Sequence, residues 1–185
     1  MKRLGLVLIA VAMLMTATRP VIAQGHLRYS VQAGLLMPMG DYNTSSKLGW
    51  VGGVGATYWL PAVPVGIRAD LSYSQTAFDS AVTGFSGNTK ILGGMASVVY
   101  ALNPASAPAR ILLTGGVGIY NVKADLGGGL SGSSTKVGFG AGAAVAFKLG
   151  PSSTRLIVGS RFTTIHSNGT SLNFLPITVG LSFGK

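Results

Sequence analysis

Apolar and polar residues alternate with a period of two in several segments of this chain, and Asn173–Lys185 is one of the clearest. Every second residue from 175 to 183 is apolar. Successive side chains of a β-strand point to opposite faces, so the alternation predicts a strand whose two faces meet different surroundings. The apolar set is Leu175, Ile177, Val179, Leu181 and Phe183, and the opposite set includes Thr178, Gly180 and Ser182.

The same pattern, interrupted by turn-forming residues, predicts eight strands in a single domain. The strand around Ile111, Leu112 and Leu113 is marked less cleanly, because these apolar residues are contiguous. Pro176 cannot donate a hydrogen bond to a neighbouring strand, so it is expected at the outer rim, where pairing frays or bulges. The expected strands are Leu27–Met37, Leu48–Leu60, Val65–Thr76, Thr89–Leu102, Arg110–Val122, Thr135–Leu149, Arg155–Ile165 and the closing strand within Asn173–Lys185.

The expected connections alternate between long and short. Three long connections cover 38–47, 77–88 and 123–134, three short ones cover 61–64, 103–109 and 150–154, and a moderate seventh covers 166–172. Short periplasmic turns and longer outer loops are typical of outer-membrane barrels. The predicted fold is therefore all-β, an eight-stranded antiparallel up-and-down transmembrane β-barrel whose closing strand meets the first.

The N-terminal segment has the pattern of a secretory signal peptide. Lys2 and Arg3 precede a short apolar run, and small residues precede Gln24. We expect a signal peptide at 1–23 and a mature barrel at 24–185. No later stretch reaches the roughly 20 apolar residues that a spanning helix needs. In lipid, backbone polar groups must be satisfied internally, which leaves a closed barrel as the spanning structure.

Composition adds to this expectation. Charged residues are 10% of the chain, against about 25% in average soluble domains. The net charge of +10 favours contact with anionic lipid headgroups or no specific role. Nucleic acid is disfavoured, because an exported chain does not meet it and the basic residues are scattered singly.

The apolar face could point inward in a soluble exported barrel or outward into lipid. The opposite face is mostly small, which suits the narrow interior of an eight-stranded barrel. Aromatic residues on the apolar face are also sorted by height into two girdles, as expected in a membrane. The periplasmic girdle is Tyr29, Tyr58, Tyr100, Phe147 and Phe183, and the outer girdle is Trp50, Tyr73, Phe139 and Phe162.

The predicted inner face carries a few polar and charged side chains. They are Arg28, Gln32, Arg68, Asp70 and Arg161, with Lys136 and Lys148 as further candidates. They could line an anion-attracting passage, or they could form a hydrogen-bonded plug, since buried charges are usually paired. We favour the plug, in which Asp70 pairs with Arg68 or another base.

Catalytic and cofactor sites are not expected. The glycine-rich runs lie inside strands, so they fail the context test for a phosphate loop. His166 and Ser167 faintly resemble the His/Ser element of outer-membrane lipid A deacylases, but adjacent strand residues point to opposite faces. We therefore expect a polar loop there. Two distant His, no Cys and four scattered acids give no metal site, and no cofactor is expected.

The chain resembles the small outer-membrane β-barrel domain family of Gram-negative bacteria, of the OmpX and opacity-protein type. The resemblance is carried by the exported start, by residues 37–42 (MPMGDY) and by residues 174–183 (FLPITVGLSF). It implies a monomeric outer-membrane protein that contacts membrane lipids, and the barrel assembly machinery through its C-terminal strand. The expected role is envelope-structural or loop-mediated interaction with an extracellular partner, without catalysis. Alternatives are a narrow channel for small or apolar solutes and a lipid A-modifying enzyme.

Overall fold

The eight strands form one closed antiparallel barrel in which each strand pairs with its sequence neighbours and β8 pairs with β1. The structure is a computed structural model that describes residues 25–40, 42–43, 46–78, 87–125, 131–167 and 170–184. The predicted signal peptide at 1–23 lies outside the described residues. Among the described residues, no helix is long and apolar enough to cross a membrane. The strands are β1 His26–Met39, β2 Gly49–Trp59, β3 Val65–Ala77, β4 Asn88–Ala101, β5 Ala109–Asp125, β6 Ser131–Lys148, β7 Arg155–Ser167 and β8 Thr170–Phe183.

Two predicted loops were wrong in length. The expected loop at 123–134 is mostly strand, because β5 and β6 stay paired out to Asp125 and Ser131. The expected connection at 166–172 is also mostly strand, since β7 continues to Ser167 and β8 begins at Thr170. Small and polar residues that resemble a loop in sequence are held in both places by backbone pairing, which does not depend on side-chain character.

Pro176 does not lie at the rim, as the sequence predicted. Six residues of β8 precede it, and it stands opposite Leu36 in an unbroken β1–β8 register. The irregularity lies on its other side. The β7–β8 pairs run from Arg155 to Ser160 and resume at Thr163 in the same register. The missing donor of Pro176 thus coincides with a gap in the β7–β8 ladder, without a bulge.

The outward face is aliphatic and the inward face is covered. Val31, Leu71, Val98 and Val179 each leave half or more of their surface exposed on the outside of the barrel. The contiguous apolar residues of β5 separate in the same way, with Leu112 buried inside and Ile111 and Leu113 outside. The alternation predicted from sequence therefore gives the correct direction for each face.

The interior is more apolar than the sequence suggested. Large side chains, not only small ones, point inward and form two buried clusters. One cluster lies toward the end that holds the β1–β2 and β3–β4 links, called the loop end here. It contains Leu36, Tyr42, Val51, Ile91, Tyr120, Val122, Ile165 and Phe174. The other lies toward the end where β1 begins and β8 ends, called the terminal end, and contains Trp59, Val99, Ala101, Leu112 and Ala146.

Tyr120 shows why the interior also needs glycines. Its ring lies over the backbone, so that a Cβ added at Gly93 would come within 2.5 Å of a ring atom, and one added at Gly138 within 2.8 Å. Gly93 is the direct cross-strand partner of Tyr120, and Phe174 meets the ring edge-on from β8 at 6.5 Å. Packing an aromatic ring over a glycine in this way pins strand register and fills the space that the glycine leaves.

Replacing Gly93 with Ala is expected to destabilise the barrel by about 1–3 kcal/mol, because the added methyl forces the buried Tyr120 ring to move. The measurement is the free energy of unfolding in denaturant. Gly115→Ala is the matched control, since a Cβ there meets nothing within 4 Å. Equal stability of the two variants would contradict the close packing of Tyr120.

Candidate functional site

Three charged side chains meet inside the barrel. Asp70, on β3, accepts hydrogen bonds from Nε of Arg68 at 2.8 and 2.9 Å and pairs with its Nη2 at 2.7 Å. Nη2 of Arg161, on β7, donates to the other carboxylate oxygen at 3.2 Å. The Asp70 side chain is 4% exposed, so both arginines lie against a buried carboxylate.

The contact between Asp70 and Arg161 crosses the lumen. In the ring of eight strands, β3 and β7 are four strands apart and therefore stand opposite each other. Arg161 also donates to the sulfur of Met95 at 3.0 Å, and Arg68 donates to Ser30 at 3.0 Å. The network thus ties several walls of the barrel together at one height, which is the arrangement of a plug.

The glycine of β2 beside this network leaves room for it. Gly55 stands between Ser30 and Asp70 in register. A Cβ at Gly55 would lie 2.5 Å from a carboxylate oxygen of Asp70 and 2.8 Å from Nη2 of Arg68. The ion pair therefore needs glycine at this position. A void of about 100 Å³ lies beside the network, and Gln32 is among its lining residues.

Arg28 is not part of this network, although the sequence analysis placed it in the same inner-face set as Arg68, Asp70 and Arg161. It lies at the terminal end, where its Nε donates to the Ser182 hydroxyl at 3.2 Å and Nη1 donates to the carbonyl of Gly184 at 3.4 Å. Nη2 donates to the carbonyl of Ser153. Arg28 thus links β1 to the end of β8 and to the turn before β7. Lys136 is partly covered, and Lys148 is exposed at the end of β6.

Two further arginines stand with Arg28 at the terminal end. Arg110 is the second residue of β5 and Arg155 is the first residue of β7, and both line the same cavity of about 960 Å³ as Arg28 does. Arg110 lies over the Trp59 ring at 4.0 Å from its centre. Arg155 donates to the carbonyl of Ala105 at 2.7 Å. We call this cavity the terminal mouth.

Tyr42 comes from the β1–β2 link and joins the apolar cluster toward the loop end. Its hydroxyl shares a hydrogen bond with Thr76 at 2.6 Å. Burial raises the pKa of the Tyr42 phenol, and the hydrogen bond to Thr76 opposes that shift. The phenol is therefore neutral at ordinary pH and fits an apolar surrounding.

The nine aromatic residues of the predicted girdles lie on the outward face. Tyr29 and Phe183 are 6.3 Å apart at the terminal end, and Trp50 and Tyr73 are 5.5 Å apart toward the loop end. Tyr58, Tyr100 and Phe147 belong to the terminal-end group, and Phe139 and Phe162 belong to the other.

His166 lies in β7, not in the loop that the sequence predicted. Its ring is exposed on the outward side and meets Phe139 edge-on at 6.1 Å. The side chain of Ser167 and all of Asn168 lie outside the described part of the chain. Within that part, His, Asp and Glu form no group of three that could hold a metal ion.

Comparison with known families decides where this barrel belongs. The family model of the outer membrane protein beta-barrel domain matches residues 5–183. The chain belongs to this family. It is an outer-membrane β-barrel, and the network of Arg68, Asp70 and Arg161 lies in the interior of this barrel. A search of curated protein sequences finds no match.

Solved structures show the same fold at low identity. Neisserial surface protein A is 17% identical with a TM-score of 0.66, over 86% of this chain and 97% of that chain. A major outer membrane protein from Thermus thermophilus is 16% identical with a TM-score of 0.58, over 88% and 100%. The attachment invasion locus protein of Yersinia pestis, solved with the heparin analogue sucrose octasulfate, is 16% identical with a TM-score of 0.57, over 86% and 99%.

Sequence analysis missed Arg110 and Arg155 in this outer-membrane barrel. Both lie at the start of a strand, shortly after a turn. Whether such a side chain points inward or outward is hard to predict there, because it depends on where the strand begins. Their inward direction could have been deduced from alternation. Arg110 shares a face with Leu112 and Arg155 shares a face with Ile157, and both apolar residues line the terminal mouth. The signal was lost because apolar residues were assigned to the lipid face throughout.

Proposed function

We propose that this protein is a closed, non-catalytic outer-membrane barrel that acts through its surfaces and links, as an envelope-structural or interaction protein. The observation that supports this function is the cross-lumen contact between Asp70 and Arg161. This ion pair lies between two apolar clusters. An ion or polar solute crossing the lumen would have to pass the ion pair and both apolar clusters. An eight-stranded barrel has an interior just wide enough for its own side chains.

The outward surface supports contact with membrane lipids. Two groups of aromatic side chains flank an aliphatic band, and aromatic rings favour the headgroup level of a membrane. Tyr29 and Phe183 would face the periplasmic headgroups, while Trp50 and Tyr73 would face the outer ones. Phe183 near the C-terminus is the residue that we expect the barrel assembly machinery to contact. An extracellular partner would bind at the loop end, and the barrel is expected to be a monomer.

A planar-bilayer measurement tests the closed barrel. We expect the folded protein to insert without producing discrete conductance steps, because the interior is filled at the level of Asp70. A large-channel porin inserted under the same conditions is the positive control. Reproducible steps in the folded protein would contradict the closed interior and favour the narrow channel.

The lipid A-modifying enzyme is tested separately. His166 faces outward beside Phe139, which gives no hydrogen-bonded nucleophile and base of the kind that acyl transfer needs. We expect mass spectra of lipid A to be identical with and without expression of the protein. Loss or transfer of an acyl chain would overturn the non-catalytic function.

A further inference from the structure

The terminal mouth concentrates positive charge in a concave space. Arg28, Arg110 and Arg155 come from three different strands and line the cavity of about 960 Å³, and His26 lies at its edge. Arg155 lines the same cavity as both other arginines, and the like charges of groups that share a cavity repel. Folding therefore brings like charges together, which costs stability unless something of opposite charge joins them.

Protein carboxylates do not fill that role in the described part of the chain. The lining of the mouth contains no Asp or Glu. Asp70 already serves Arg68 and Arg161, and Asp125 ends β5 at the opposite end of the barrel. Asp41, Asp79 and Lys185 with its carboxyl group lie outside the described residues.

Among the described residues, the three arginines of the mouth contact only neutral groups, which do not balance their charge. Arg28 donates to backbone carbonyls and to the Ser182 hydroxyl, and Arg155 donates to carbonyls of the turn before β5. These contacts fix the direction of the guanidinium groups. Arg110 is held by the Trp59 ring, and its buried Nε has no hydrogen-bond partner in the structure.

An apolar partition separates the mouth from the carboxylate at the centre. Val99, Leu112 and Ile157 line both the mouth and the small void beside Asp70. Arg68 also reaches both spaces, but its guanidinium is paired with Asp70. The mouth is thus a blind cavity that opens at the end with the three short turns, which is the periplasmic end in outer-membrane barrels.

We propose that the terminal mouth is a binding site for a small polyanion, a molecule with two or more phosphate, sulfate or carboxylate groups, entering from the periplasmic side. Guanidinium groups bind such oxyanions through paired, charge-assisted hydrogen bonds. The cavity has the volume of a small-molecule site. Binding at a blind mouth requires no conduction, so this inference stands or falls separately from the closed barrel.

The test measures binding of tripolyphosphate to the purified full-length protein in a zwitterionic detergent by titration calorimetry at low ionic strength. We expect saturable binding of one tripolyphosphate per barrel. The variant Arg110→Gln with Arg155→Gln is expected to weaken it by about tenfold or more, because two charge-assisted contacts are lost. Arg110→Gln alone serves if the double variant does not fold, since Arg110 has the unpaired donor.

The matched control is Lys90→Gln with Lys123→Gln. These lysines are cross-strand partners on β4 and β5 near the loop end, so the control removes the same charge from the other end of the barrel. We expect its affinity to stay within about twofold of the parent. No saturable binding by the parent, or equal weakening by both double variants, would overturn the proposal. Heat-modifiable gel mobility verifies that each variant is folded.

A second arm identifies the source of the anionic group. The titration is repeated in nanodiscs of zwitterionic phospholipid and in nanodiscs that contain anionic phospholipid. Weaker tripolyphosphate binding in the anionic discs, beyond that of the lysine control, would show that a lipid headgroup competes for the mouth. Equal binding in both kinds of disc would show that the site takes a water-soluble anion. Both results support the site and differ only in its natural occupant.

Discussion

Replacing Asp70 with Asn is expected to lower the free energy of unfolding by about 3–5 kcal/mol, because removal of one partner leaves a buried ion pair uncompensated. Here the loss is shared by two arginines, since Asp70 holds both Arg68 and Arg161. The measurement is denaturant unfolding of the folded barrel in phospholipid vesicles, followed by tryptophan fluorescence and gel mobility.

The control for this variant is Asp125→Asn, which removes the same charge at the far end of β5. It is expected to lower stability by no more than about 1 kcal/mol, because even a paired charge at a partly exposed strand end contributes little. A triple variant, Arg68→Met with Asp70→Leu and Arg161→Met, is expected to regain most of the lost stability, because apolar replacement of a whole buried network is often neutral. If Asp70→Asn were as stable as the parent, the network would not be the plug described above.

Replacing Val179 with Arg is expected to cost about 2–4 kcal/mol, the penalty for a charge at the lipid-facing midplane of a barrel. Val179 is the middle one of the five outward apolar residues of β8, from Leu175 to Phe183, and has half of its surface exposed, between Ala33 and Val158. The measurement is the same unfolding titration in vesicles, where lipid rather than water surrounds the outward face.

Leu27→Arg is the matched control for this second variant. Leu27 also faces outward, but it stands beside Tyr58 at the terminal end, where the penalty falls to about 0–1 kcal/mol. A difference between the two variants therefore reports depth in the membrane. If both cost the same, the outward face would not lie in lipid at the heights inferred here.

Much of the fold was predictable because it depends on alternation, which the sequence carries directly. The eight strands, their order and the outward direction of Val31, Leu71 and Val179 all follow from a period of two. Strand ends were less predictable. The extensions of β5, β6, β7 and β8 depend on hydrogen bonds between backbones. Small or polar side chains, such as those at 131–135, give no sequence pattern that indicates these extensions.

The interior was predictable only in part. The sequence places Arg68, Asp70 and Arg161 on the inner face, and the structure brings these three together. It also separates Arg28 from them, because height along the lumen depends on the stagger between strands, which alternation does not encode. The inward direction of Phe174 and Tyr120 was missed for a related reason. Near the loop end, apolar residues occur on both faces, so polarity no longer distinguishes inside from outside.

The gap opposite Pro176 has a consequence for how the barrel wall opens. It divides the β7–β8 ladder into two short runs, Arg155–Ser160 and Thr163–Ser167, whereas the β1–β8 ladder is continuous from Tyr29 to Met39. Local openings follow the boundaries of cooperative hydrogen-bonded units. Arg161 and Phe162 keep their pairing with Gly142 and Ala141 of β6, so the gap weakens only the β8 side of this strand. Amide protons of β7 and β8 beside the gap should therefore exchange with solvent deuterium faster than those of the continuous β1–β8 ladder. The weak point of the β7–β8 seam lies in its interior, away from the rim.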